Sequence, residues 1–241
     1  MIPKQINYIW IGKKPLDKVS RICINSWARV MNGYSIVEWN EDNLPLNNYL
    51  AENRFLRECY KRKMWAFVSD YLRLKVLYEY GGIYFDTDVE VLKTFDSIIN
   101  NNFVIGLEKD DYPCTAVICA EKKSPIIKKI LEFYDKEIWE TDLFVNPAIF
   151  RHVMKNNEEL LDNALILPIE SFSSYNRDCD ICKPFTTDQS FAVHWFNGNW
   201  GFSRKAYVFL QTKQYKGYCR SIQMIRKNIG YYRKRKKWEV N

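Results

Sequence analysis

The sequence predicts an α/β fold built on parallel strands. One observation is the order strand, helix, strand at the start of the chain, over Lys4 to Ile11 (KQINYIWI), Val19 to Val30 and Tyr34 to Trp39. Such a unit closes as a parallel pair with a right-handed crossover. A second is the stretch Met64 to Leu92, MWAFVSDYLRLKVLYEYGGIYFDTDVEVL, which reads as a long apolar helix, a Gly81-Gly82 break and a β-rich run. The third is composition: 241 residues with 47% hydrophobic and 27% charged side chains suit a globular core that a single domain can bury.

The first strand is rich in β-branched and aromatic residues and ends at Gly12. It places Trp10 at its carboxyl end, where open α/β sheets bind ligands. An indole there either fills the core or stacks on a nucleobase, a contact worth about 1 to 3 kcal/mol. Val19, Ile22, Cys23, Trp27 and Val30 recur at helical spacing, and the strand after them runs into the polar turn Asn40, Glu41, Asp42, Asn43. Residues 45–63 are expected to be helical.

In the central helix, Trp65, Val68, Leu72 and Val76 form one stripe, while Ala66, Phe67, Leu74 and Leu77 make the other faces apolar too. A helix of that kind is buried nearly all round. Asp70 and Arg73, spaced i and i+3, are therefore either a compensating buried ion pair or a polar binding site. Gly81 is expected to cap the helix in a left-handed conformation, and the chain then swings through Ile83, Tyr84 and Phe85. Asp86 and Asp88 follow; in an extended chain both carboxylates share a face with Thr87 turned away. Two carboxylates on one spot call for a cation.

Further strands are expected at 102–107 and 114–120, helices at 125–139 and 147–161, and a polar loop at 170–184. From Arg204 a helical extension packs outside the sheet, so the domain reading is 1–203 for the main body and 204–241 for a basic, aromatic extension. Its end, YYRKRKKW (231–238), carries part of the net charge of +7. Such a run can lie on an anionic membrane at roughly 1 kcal/mol per cation, can suit a nucleic-acid backbone, or can simply be solvated. Seven cysteines are an odd, scattered set, read as reduced thiols rather than a disulfide framework. Cys179 and Cys182 form a CxxC without the second half a structural zinc site needs. The N-terminal run is too short, and too interrupted by Asn7, for a signal or membrane segment, so a cytoplasmic chain is expected.

The stretch SDYLRLKVLYEYGGIYFDTDVEVL, with IPKQINYIWIG before it, Ser26-Trp27, Trp39-Asn40-Glu41 and the late HWFNGNW (194–200), resembles the DXD sugar-binding glycosyltransferases. That group includes bacterial capsular and lipopolysaccharide sugar transferases, yeast-type α-mannosyltransferases and, more remotely, the clostridial glucosylating toxins. The resemblance covers most of residues 1–200. It implies a GT-A fold with a Rossmann-like nucleotide-binding sheet, a divalent metal (Mn²⁺ or Mg²⁺), a nucleotide-sugar donor and transfer with retention.

Carried over residue by residue, the resemblance makes Trp10 the base-stacking tryptophan and Asn40 a nucleoside contact. Asp70 and Arg73 hold the donor sugar and its phosphate side, and Asp86, Asp88 and His194 form the metal site. Trp200 closes over the diphosphate. Ile9, Tyr84 and Thr87 flank the donor, and Asp70, Arg73 and Asp88 are the catalytic set. Asn199 stands where relatives commonly have serine, and Thr115-Ala116 where many have Asn-Ala, which bears on the donor sugar. The function implied is a UDP-sugar-dependent transferase acting on a saccharide or lipid-linked oligosaccharide at the inner membrane face. Its competitors are an effector that glycosylates a protein and, more distantly, a non-enzymatic nucleic-acid module, against which the carboxylate cluster argues.

Overall fold

The computed structural model describes residues 1–175, 183–198 and 203–238, the last seven of these by backbone alone. The chain opens with β1 (Gln5–Ile9), α1 (Lys18–Val30) and β2 (Ser35–Trp39), then α2 (Leu46–Glu52) and α3 (Arg54–Lys61). The centre is α4 (Trp65–Tyr80), β3 (Gly82–Phe85) and β4 (Val89–Val91). After these come β5 (Phe103–Lys109), β6 (Tyr112–Ala120), α5 (Pro125–Asp135), α6 (Asn146–Lys155), β7 (Ala164–Leu167) and β8 (Ala192–His194). Two helices, α7 (Arg204–Thr212) and α8 (Gly217–Trp238), follow.

Six strands form one sheet in the order β2-β1-β3-β6-β5-β7. The pairs β1/β2, β1/β3 and β5/β7 are parallel, and β6 is antiparallel to both of its neighbours. Five of these six strands thus point the same way, the expected α/β architecture. The alternation of β3 divides the core: Tyr84 faces one apolar layer with Leu72, Phe55 and Ile127. Ile83 and Phe85 face the other, with Trp27 and Phe95.

The double glycine is a steric requirement. A Cβ on Gly82 (φ +99°) would stand 2.4 Å from the Gln5 carbonyl oxygen, and one on Gly81 (φ +72°) would stand 2.7 Å from the Lys122 backbone nitrogen. Only glycine lets α4 end so tightly between β1 and the end of β6. Gly81 does cap α4 at positive φ, but with ψ near −166° it lies outside the left-handed helical region expected of the cap, in a region open to glycine. Asn7, wholly buried in β1, completes this junction. Its amide donates to the Gly81 and Ile83 carbonyls at 3.1 and 3.4 Å and accepts from Trp39 Nε1 at 2.9 Å.

The stretch from Arg204 is not uniformly peripheral. Helix α7 buries Ala206, Phe209 and Leu210 in the same core as α4 and α5, so α8 is the helix that stands apart. On α8, Tyr218, Ile225 and Ile229 are exposed. The side chains of the basic run beyond Tyr231 lie outside the described residues, as do Cys179 and Cys182. Cys23, Cys59, Cys114, Cys119 and Cys219 are free thiols. Among the described residues no helix is long and apolar enough to cross a membrane.

Candidate active site

A cleft of about 290 Å³ opens at the carboxyl ends of β1 and β3, lined by Ile9, Ser69, Asp70, Arg73, Tyr84, Asp86, Thr87, Asp88, His194 and Phe196 among others. Parallel sheets bind ligands at this end. Helix α4 supplies Asp70 and Arg73 from one face, because i and i+3 stand one above the other. Arg73 is 4% exposed and is held by three elements. Its Nη2 lies 2.9 Å from Asp70 Oδ1 and 3.0 Å from Asp86 Oδ1, and its Nη1 donates to the Thr115 carbonyl at 2.6 Å. The Tyr84 hydroxyl donates to Asp86 Oδ1 at 2.8 Å. Asp70 also accepts from Asn146 of α6 at 3.3 Å, and Asn146 in turn accepts from Tyr134 of α5.

The free carbonyls that receive these groups come from an irregularity in the sheet. The β5/β6 register jumps from Ile105–Ile118 to Gly106–Cys114, leaving residues 115–117 of β6 unmatched by β5. The Thr115 carbonyl then takes Arg73, and the Ala116 carbonyl takes the Asp86 N–H at 2.9 Å. Bulges of this kind re-aim groups beside functional sites.

Asp86 and Asp88 do converge, but not by strand alternation. Strand β3 ends at Phe85, and Asp86 to Asp88 form a turn in which Val89 N–H bonds back to the Asp86 carbonyl at 3.0 Å. The turn is pinned from behind. Trp27 Nε1 donates to the Val89 carbonyl at 2.7 Å, Ser26 Oγ accepts from Val91 N–H at 2.9 Å, and the Thr87 hydroxyl, turned inward, accepts from Ser20 at 3.2 Å. Strand β8 pairs with β4 and sets His194 opposite Val89. His194 Nε2 is then 3.5 Å from Asp88 Oδ1, and the Asn197 N–H donates to Asp88 Oδ2 at 2.8 Å. One ligand atom each from Asp86, Asp88 and His194 lies within 4.8 Å of the others.

The electrostatics follow from burial. Desolvation raises the Asp70 carboxyl to about 6 despite Arg73, and raises Asp86 as well, with Arg73 opposing and Asp88 adding to the rise. Burial also works against charge on Asp88 and His194. Their mutual hydrogen bond overcomes it, holding Asp88 below the usual carboxylate range and His194 well above that of imidazole. Among the described residues Asp70, Asp86 and Asp88 are faced by Arg73 and by the His194 ring, and a divalent ion beside Asp88 would add the positive charge that three clustered carboxylates call for.

The other expected site residues are placed less centrally. Trp10 stands at the end of β1, half-buried, its Nε1 donating to the Lys14 carbonyl at 2.5 Å. It does not line the cleft, nor does Asn40, whose amide serves its own turn through Glu38 and the Asp42 N–H. Asn199 and Trp200 lie outside the described residues. Glu41 of the WNE motif accepts from Gly12 N–H at 2.8 Å, so that motif and WIG brace one another. Asn197 and Phe196 were not singled out by sequence reading, and Asn146 was legible only as the Asn-Pro start of a helix near which an acceptor could bind, not as a partner of Asp70. Asn197 and Phe196 fall inside the HWFNGNW motif, which was the available signal.

Residues 17–104 match the glycosyltransferase sugar-binding region containing the DXD motif. An uncharacterised protein of Arabidopsis thaliana is 41% identical over 69 residues, 27% of this chain and a tenth of that protein's length. The fold is similar to that of the PaToxG glycosyltransferase (TM-score 0.53, 20% identity, 67% of this chain and 72% of that one). It is also similar to mouse xyloside xylosyltransferase 1 (0.52, 9% identity, 80% and 98%) and to the glycosyltransferase GlyE of Streptococcus pneumoniae (0.50, 11% identity, 97% and 64%). At these identities the likeness to solved structures is one of fold. Over residues 17–104 the chain is thus similar to the DXD-containing sugar-binding region of glycosyltransferases, and it carries that stretch on an α/β fold of GT-A type.

Proposed function

We propose that this protein is a divalent-metal-dependent, retaining glycosyltransferase that takes a sugar from a UDP-sugar donor and adds it to a saccharide acceptor in cell-surface polysaccharide synthesis. The observation that carries this reading is the meeting of Asp86, Asp88 and His194 beside the Asp70–Arg73 pair at the carboxyl ends of parallel strands. Two carboxylate oxygens and an imidazole nitrogen with open positions suit manganese, or magnesium with less use of the histidine. A divalent ion on the donor's diphosphate supplies Lewis-acid stabilisation of the charge that the leaving nucleotide gathers.

The chain's own groups do the rest. Asp88, kept anionic by His194 and the Asn197 N–H, is the anchoring carboxylate of the turn. Arg73 is pre-aimed by Asp86 and the Thr115 carbonyl, so its guanidinium meets phosphate or sugar oxygens without reorganisation. Asp70, oriented by Asn146, accepts hydrogen bonds from sugar hydroxyls. Trp10 would stack on the nucleobase and Trp200 would close over the diphosphate, the roles the resemblance implies.

A melting-temperature screen of sugar nucleotides with and without Mn²⁺ tests the donor assignment. A ligand present at 100 times its Kd stabilises the native state by about 2.7 kcal/mol. The expected result is a shift with UDP-sugars that requires the metal. A shift with no nucleotide, or one indifferent to Mn²⁺, counts against the proposal.

A further inference from the structure

The His194 ring separates two sets of ligands. Its Nε2 faces Asp88, and its Nδ1 faces the hairpin of β5 and β6, where Glu108 Oε2 lies 4.0 Å away. Glu108, Cys114 and His194 each offer one ligand atom within 4.8 Å of the others. His194 Nδ1 is buried, and the one side chain that interacts with the ring on this side besides Glu108 is the Cys114 thiol, so among the described residues no oxygen or nitrogen satisfies it at ordinary hydrogen-bond distance. Cys114 is a fully buried free thiol, while Glu108 is about a quarter exposed and opens the set to solvent. The hairpin builds this geometry: Glu108 is the extra residue between the pairs Leu107–Pro113 and Lys109–Tyr112. A bulge there re-aims its carboxylate from the sheet edge toward the histidine.

We infer that Glu108, Cys114 and His194 form a second cation site, selective for thiophilic ions such as Zn²⁺, whose occupancy draws His194 away from the Asp86–Asp88 site. One sulfur, one nitrogen and one oxygen ligand with an open fourth position is the donor set of tetrahedral zinc, whereas Mn²⁺ and Mg²⁺ disfavour thiolate. Binding displaces two protons to solvent, one from the Cys114 thiol as the sulfur–metal bond forms and one from Nδ1 of the His194 ring as the nitrogen–metal bond forms. A neutral imidazole carries one proton. With a cation on Nδ1 the proton sits on Nε2 and points at Asp88, so the ring cannot also give a lone pair to an ion there. The two sites therefore compete for one side chain. That competition rests on the function proposed above, whereas the thiophilic site stands without it.

Cobalt(II) is the probe, because a thiolate ligand gives it a near-ultraviolet charge-transfer band. The full chain is used with Cys179, Cys182 and Cys219 replaced by serine. Co²⁺ is expected to produce the band at one equivalent, Cys114→Ala to abolish it, and Asp88→Asn to leave it in place. Glu108→Gln, at a partly exposed position that tolerates exchange, should weaken Co²⁺ binding about tenfold or more, with the metal-free melting temperature unchanged. No band in the parent, or a band that survives Cys114→Ala, overturns the site. Zn²⁺ should displace Mn²⁺ followed by its paramagnetic resonance signal, and should do so less well in Cys114→Ala. Undiminished Mn²⁺ binding in saturating Zn²⁺ overturns the competition while the cobalt band still stands. Full sugar transfer by Asp88→Asn would defeat the proposed function and leave the second site untouched.

Discussion

Replacing Asp88 with asparagine is expected to lower sugar transfer by about a thousandfold, the loss typical of removing one electrostatic contact to the developing charge of a transition state. The substitution keeps shape and an acceptor oxygen, so the Asn197 N–H at 2.8 Å and the His194 ring retain a partner. What is lost is charge at the one carboxylate of the turn held below the usual range by its neighbours. Steady-state kinetics with saturating Mn²⁺ and a labelled donor measure the effect, with the metal-free melting temperature as the control for folding. Turnover within a few-fold of the parent would remove Asp88 from the mechanism.

Arg73→Met is expected to be the most damaging single change to stability, costing about 3 to 5 kcal/mol, the usual penalty for breaking a buried ion pair by deleting one partner. Asp70 and Asp86 would then face each other without their guanidinium, in a site where burial already raises both. The sign of the pH dependence follows. A carboxyl whose folded pKa lies above its unfolded value binds more protons when folded. Its cost is therefore fully present above the folded value and is relieved as pH falls towards the unfolded one. For Asp70 in the parent that window runs from about 6 down to the ordinary 3.8. Without Arg73 the folded values climb further, so the gap in unfolding free energy between parent and variant should be widest above pH 7 and narrow towards pH 5. Denaturation at several pH values checks this, and a gap that does not change with pH would mean the carboxylates are not what the arginine compensates.

The central unit was legible because its signals are local. An apolar helix followed by two glycines leaves few conformations, and the 2.4 Å approach to Gln5 shows why the second glycine accepts no side chain. The convergence of Asp86 and Asp88 was also readable, but its cause was not. Alternation was expected, whereas a turn fixed by the Ala116 carbonyl, Trp27 and Ser26 brings the carboxylates together. Those partners lie tens of residues away in sequence, beyond anything periodicity reports. The motifs WIG, SW and WNE marked the resemblance, and in this fold Ser26, Trp27 and Glu41 serve as braces for the backbone. Glu108 and Cys114 were invisible for a related reason: a register shift aims them, and a strand pattern assumes none. Helix α7 was read correctly as helical, but which face it covers depends on Trp139 and Arg62, which meet Phe209 only in the folded chain.

Diffraction from crystals soaked in MnCl₂ and UDP, with data collected at the manganese edge, addresses the metal-and-diphosphate claim at its source. An anomalous peak is expected bonded to Asp88 and His194, next to Asp86, with diphosphate oxygens completing its coordination and the β-phosphate side turned to Arg73. A manganese peak and nucleotide bound elsewhere, with the turn carboxylates directed away from both, would contradict that claim.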